Sequence, residues 1–225
     1  MELSTPPQLL LVEKQKQFQS EENLSEIWHL AQNLVGGNEK LRFQALEGLK
    51  RLEVIRYSPL LTYMVTTRLS DSEINIRQLA ILVVNSILGP DLIGNLAAEE
   101  VILQIHTYFL NISEFTVRKL LMASKGNLEN RAEISKLLNL CPRTGRHLAS
   151  ILADRNETIE CRRLAADFIG LIGYMETKPI LIRIKNRIES SLNNKNRIPI
   201  VTEVREEQKN LLLSINTALT LLQTP

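Results

Sequence analysis

The 225 residues are 44% hydrophobic and 23% charged with a net charge of +2, a balance that excludes a disordered chain and a membrane-embedded one. Nine glycines and eight prolines supply little turn material for a many-stranded β fold, and aromatics at 4% leave aliphatic side chains to do the packing, which points to helices. The charge is uneven: residues 1–112 hold 9 Lys/Arg against 13 Asp/Glu, whereas residues 113–199 hold 16 against 9, so a moderately basic surface follows an acidic one.

In chain order, the opening "MELSTPPQLLLVEKQKQ" has no basic n-region and does not read as a signal peptide. Its stretch 6–19 reads as a capping helix, so residues 1–22 form a tail with that helix, ahead of a helical array over 23–225. "NLSEIWHLAQNLV" (23–35) and "KLRFQALEGLKRL" (40–52) carry apolar residues at helical spacing on either side of Gly36-Gly37. Ser58-Pro59 caps "SPLLTYMVTTRLS" (58–70) with proline in the first turn, and "NIRQLAILVVNSIL" (75–88) runs up to Gly89-Pro90. "AAEEVILQIHTYFL" (97–110) and "TVRKLLMASKGNL" (116–128) follow, then an additional helix, "ENRAEISKLLNL" (129–140), closed by Pro142. The last pairs are "RTGRHLASILAD" (143–154) with "ECRRLAADFIGLI" (160–172), and "KPILIRIKNRIESSL" (178–192), entered through Thr177-Lys178-Pro179, with "EVREEQKNLLLSI" (203–215).

The second member of each pair aligns on an arginine: Arg42, Arg77, Arg118, Arg162 and Arg205, spaced by 35, 41, 44 and 43 residues. Offsets −1, +3, +7 and +10 from it trace one stripe of a helix. The stripe runs from Leu41, Ile76, Val117, Cys161 and Val204 through Ala45, Ala80, Leu121, Ala165 and Gln208. It continues through Leu49, Val84, Lys125, Ile169 and Leu212 to Leu52, Ile87, Leu128, Ile172 and Ile215. Only Lys125 and Gln208 are polar, and the small residues at +3 leave room for a neighbouring helix. The expected unit is a helical hairpin of roughly forty residues, repeated.

This pattern resembles the HEAT repeat family. The best match is "LSDSEINIRQLAILVVNSIL" (69–88), with Leu69 and Asp71 in a turn, then Ile76 and Arg77, then Ala80. Arg162, Ala165 and Pro179 match next, with Asp154 and Asn156 straddling the acidic position, where repeats one, three and five have Gly36, Ile112 and Pro199. The resemblance spans about residues 23–222. It implies an all-α fold, a right-handed α-α superhelix of about five hairpins, whose arginines satisfy turn carbonyls or a carboxylate between stacked units. It says little about activity, since such solenoids mostly bind partners.

Catalytic chemistry finds no support. His29, His106 and His147 lie in three different repeats, the first two on apolar periodic helices as partly buried or rim residues. No metal-binding spacing occurs, and neither a phosphate loop nor a nucleophile elbow is present. Cys141 and Cys161 read as small core residues, and two cysteines without a disulfide framework fit a reducing, cytoplasmic setting. "GLIG" (170–173) reads as a helix C-terminal glycine pair. No catalytic, cofactor or metal residue is therefore assigned, and no apolar run reaches the roughly 18–20 residues a membrane span needs.

What remains is surface. In a HEAT-like stack the second helices line the concave side, and offsets +1, +5 and +8 put Gln78, Lys119, Arg163 and Asp167 there with Phe43, Glu47, Lys50, Asn85 and Glu206. Arg183 and Arg187, one turn apart, mark the basic region 143–197. These residues point to a non-enzymatic scaffold that binds a protein partner with an acidic surface. The alternative is a nucleic-acid-binding solenoid, even a DNA glycosylase-like enzyme, using 143–197. With Phe168 and Tyr174 the only aromatics in that region and Trp28 far from it, the glycosylase fit is poor. A HEAT protein that chaperones a cofactor onto a partner, like the chromophore lyases, is a third and weaker reading.

Overall fold

The computed structural model describes residues 21–193 and 202–223 and is helical throughout them, with no strand. The expected capping helix at 6–19 lies outside the described residues. Contacts divide the chain into two units, 1–111 and 112–225.

In the first unit, α1 (Glu21–Gly36), α2 (Glu39–Arg51), α3 (Pro59–Thr67), α4 (Ile74–Leu88) and α5 (Glu99–Leu110) follow the predicted elements closely. Local chemistry sets their ends. Asn38 caps α2 by accepting from the Leu41 N–H at 3.0 Å, and Ser58 caps α3 by accepting from the Leu61 N–H at 3.3 Å, with Pro59 in the first turn. α1 packs on α2, and α3 on α4. α3 also adjoins α1 and α5, while α2 adjoins α4. First helices therefore neighbour first helices, and second neighbour second. The interior is aliphatic, built on Leu34, Leu46, Leu49, Val65, Ile76 and Ile105, all fully buried. Arg56 is also buried, under the 89–98 loop, donating to the Ser86, Gly89 and Asn95 carbonyls. A guanidinium that ties the last turn of α4 to two carbonyls of the following loop follows no periodicity, and the sequence pattern does not single it out.

In the second unit, α6 (Glu114–Ala123), α7 (Leu128–Leu138), α8 (Thr144–Ala153), α9 (Ile159–Ile172), α10 (Lys178–Asn193) and α11 (Thr202–Leu221) are present, α7 being the additional helix. α8 packs on α9, α10 on α11, and α9 on both α6 and α11. Thr158 caps α9, accepting from the Cys161 N–H at 3.2 Å, and Gly173 closes it in the left-handed region (φ +85°). The other glycine of "GLIG", Gly170, is buried inside α9 against α11. Thr177 does not act as the expected cap of α10: its hydroxyl donates to the Tyr174 carbonyl within a 3₁₀ turn, Met175–Thr177.

The aliphatic stripe holds in the middle repeats and shifts at the ends. Ile76, Val117 and Cys161 are buried, as are Ala45, Ala80, Leu121 and Ala165. Leu41 and Val204, expected inside, are 40% and 41% exposed. Each lies in the first turn of its helix; α2 buries Ala45, Leu46 and Leu49, and α11 buries Leu211, Ile215 and Ala218, beginning further along each helix. His29 and His106, expected as partly buried or rim residues, are both exposed, on α1 and α5.

Candidate functional site

The five arginines part company in their surroundings. Arg42 forks onto Asp71, Nε to Oδ2 at 2.9 Å and Nη2 to Oδ1 at 2.8 Å, while Nη1 donates to the Gly37 carbonyl at 3.0 Å. Arg68 approaches the same carboxylate at 3.4 Å, and the Glu73 N–H donates to it at 3.1 Å. Arg77 donates to the backbone carbonyls of Asp71 and Ser72 at 2.8 and 2.9 Å. Asp71 thus joins α2, the end of α3 and the start of α4. Burial would raise its carboxyl pKa; the Arg42 and Glu73 hydrogen bonds and the charges of Arg42 and Arg68 outweigh burial and hold it below the usual value. The same contact raises Arg42. Arg118 is held by Glu114 at 2.6 Å, Glu157 at 2.8 Å and Asp154 at 3.6 Å. Arg162 Nε donates to the Leu152 carbonyl at 3.0 Å, and Arg205 stands exposed.

With α2 pinned to α4 in this way, their outer faces border an open cleft of about 930 Å³, lined by Asn38, Glu39, Lys40, Phe43, Gln44, Glu47, Asn75 and Gln78. Three residues expected on the recognition face, Phe43, Glu47 and Gln78, come together here. The lining mixes both charges, amides and one aromatic ring, a composition suited to a polypeptide surface.

The other candidates are in the second unit, and they differ in availability. Lys119 lies over the Phe115 ring on its own helix, 5.4 Å from the centroid. Arg163 pairs with Glu160 at 3.9 Å, and Asp167 with Arg131 of α7 at 3.6 Å. Lys125 reaches Glu160 at 2.8 Å. The outer side of α9 is therefore laced by ion pairs to α7 and to the turn before it. Arg183 and Arg187 are exposed on α10. Arg187 shares a second cleft with Arg155 and Arg162; Arg183 does not line it. Sequence reading missed this grouping because it placed Arg162 among structural residues and the other two in a diffuse basic run. The available signal was in the sequence alone: the acidic position of the fifth repeat is Pro199.

For chemistry, the described residues contain no group of three or more His, Cys, Asp or Glu side chains that could hold a metal ion. Both cysteines are buried and free. Burial first, then the negative charges of Glu157 and Glu160, push the Cys161 thiol up to about 12, against a lesser pull from Arg118, so it is no nucleophile at neutral pH. No helix among the described residues is long and apolar enough to cross a membrane. Comparison of the chain with protein-family models, with curated proteins and with solved structures gave no match.

Proposed function

We propose that this chain is a non-catalytic protein-binding module built of HEAT-like helical hairpins, working in the cytoplasm as a scaffold. The observation that supports it most is the open cleft on α2 and α4, where Phe43, Glu47 and Gln78 converge at the position the repeat pattern reserves for recognition. In the first unit, the packing of first helices beside first and second beside second supports a stack of hairpins. Phe43 supplies an apolar anchor, and Glu39, Lys40 and Glu47 set which charges a partner presents around it. Buried free thiols suit a reducing compartment.

The test is site-specific photo-crosslinking in the native cell. A photoreactive residue in place of exposed Gln44, inside the cleft, should yield one discrete protein adduct. The same residue in place of exposed Thr107 on α5 should not, and Phe43→Ala should weaken the Gln44 adduct at least tenfold. Adducts of equal yield from both positions, or none from Gln44, would overturn the reading.

A further inference from the structure

Arg162 poses a physical problem. It is only 9% exposed, yet among the described residues no carboxylate pairs with it. Its Nε is satisfied by the Leu152 carbonyl, while its terminal nitrogens make no ion pair or hydrogen bond among the described residues. Arg42 and Arg118, at the same repeat position, are both neutralised by acids. Asp154, the acid that acts most on Arg162, is engaged by Arg118 at 3.6 Å. Burying a guanidinium without a counter-charge is costly unless something supplies one.

The surroundings are cationic. Arg162 lies on a cleft of about 720 Å³ that it shares with Arg155 and Arg187, and no acidic side chain lines it among the described residues. The three cations push against one another: after burial, the charges of Arg187 and Arg155 lower Arg162, and the charge of Arg155 lowers Arg187. Ser191 adds a hydroxyl from the last turn of α10, beside Ser190, whose own hydroxyl donates to the Asn186 carbonyl at 2.8 Å. Gln208 of α11 adds a side-chain amide whose Oε1 is buried and has no hydrogen-bond partner; amide oxygen and nitrogen exchange places by rotation, so it can donate. The walls between these groups are aliphatic, from Ile159, Ile188 and Leu211.

We infer that this cleft is a binding site for a phosphate monoester dianion, held by Arg155, Arg162 and Arg187 with the Ser191 hydroxyl. Three guanidinium forks match three phosphate oxygens, and a dianion answers three unpaired cations better than a single carboxylate. A nucleic-acid strand fits less well: the walls carry no aromatic ring on which a base can stack, and each phosphodiester brings one charge. The site rests on the second unit alone and holds whether or not the α2–α4 cleft binds a partner.

The experiment is calorimetric titration and thermal unfolding of the full chain at fixed ionic strength. The probes are inorganic phosphate, a short peptide with one central phosphoserine, its serine twin, and a single-stranded oligonucleotide. Phosphate should raise the melting temperature above an equal ionic strength of chloride. Arg155→Gln with Arg187→Gln, both exposed and outside the core, should weaken phosphate binding at least tenfold while leaving the unliganded melting temperature within a few degrees. Equal affinity for phosphate and phosphopeptide makes a free phosphorylated compound the source; a phosphopeptide at least tenfold tighter than phosphate, with its serine twin inert, makes it a modified protein. No response beyond chloride, a response undiminished in the double variant, or tighter binding of the oligonucleotide than of either monoester would overturn the inference.

Discussion

Gly170 of α9 and Ala218 of α11 meet backbone to side chain: a methyl group placed on Gly170 would stand 2.7 Å from the Ala218 Cα and 3.1 Å from its Cβ, with Leu221 Cδ1 at 3.2 Å. No flexible side-chain end takes up that overlap, so the two helices must separate. Overpacking of this kind costs roughly 1–3 kcal/mol, more than offsetting the ~1 kcal/mol that alanine gains over glycine inside a helix. Gly170→Ala should therefore lower the urea midpoint. Gly36→Ala, at the exposed end of α1 with open space around it, should leave the midpoint unchanged or raise it slightly. Equal effects of the two substitutions would mean that the α9–α11 approach is not close.

The Arg42–Asp71 fork gives an acid-sensitive element to the first unit. Asp71 is nearly sealed from solvent, its side chain 3% exposed, and Arg42 is 16% exposed. Removing the cation leaves the carboxylate with Arg68 alone, and Arg42→Ala should cost ~2–3 kcal/mol, toward the low end for a broken buried pair because Arg68 remains. Because the folded carboxyl titrates below its unfolded value, near 4, its contribution is fully present above that value and is lost as pH falls through the folded pKa. The stability gap between the native chain and Asp71→Asn should be constant from pH 7 to about 5 and close below about 4, as followed by thermal unfolding.

These two contacts show what was legible in the sequence. Helix positions followed from apolar periodicity and from caps such as Ser58-Pro59, whose physics is local. The partner of Arg42 is 29 residues away, but the repeat pattern singles out Asp71 as a turn acid. Gly170 resembled a helix terminator because glycine signals both a turn and a close approach, and only packing with Ala218 separates the two. Leu41 and Val204 were misplaced because the stripe assumes every repeat is flanked alike, whereas their helices bury residues further along. The Arg155–Arg162–Arg187 cleft was invisible as a unit: it is made of α9, the loop before it, the end of α10 and part of α11, and no acid lines it among the described residues.

Thiol chemistry offers a separate check. Cys141 and Cys161 are 1% and 2% exposed and unbonded, and the Cys161 thiol is held protonated by burial, with a pKa of about 12. At pH 8 iodoacetamide should label neither site in the folded chain over a time that labels both in urea. Rapid labelling of Cys161 without denaturant would show that α9 opens locally or that its surroundings are looser than the packing requires.

His147 sets a second pH dependence, of opposite chemical origin to that of Asp71. Its side chain is 18% exposed beside Glu114, with Nδ1 4.0 Å from that carboxylate and Nε2 buried without a partner. Burial lowers its pKa below the ordinary value, and the charges of Arg143 and Arg146 lower it further, against opposing contributions from Glu114 and a hydrogen bond with the Ile112 backbone. The folded chain therefore holds the imidazole neutral at a pH where the unfolded chain binds a proton. Stability due to this group is whole above the unfolded value, near 6.5, and falls as pH drops from there through the folded value, with a slope of at most ~1.4 kcal/mol per pH unit. His147→Phe, which keeps a planar ring and removes the proton site, should flatten the urea midpoint between pH 7 and 5 relative to the native chain. Proton NMR of the His147 ring should show its titration midpoint below 6.5; a midpoint above it would make the Glu114 contact a true ion pair and reverse the sign of the effect.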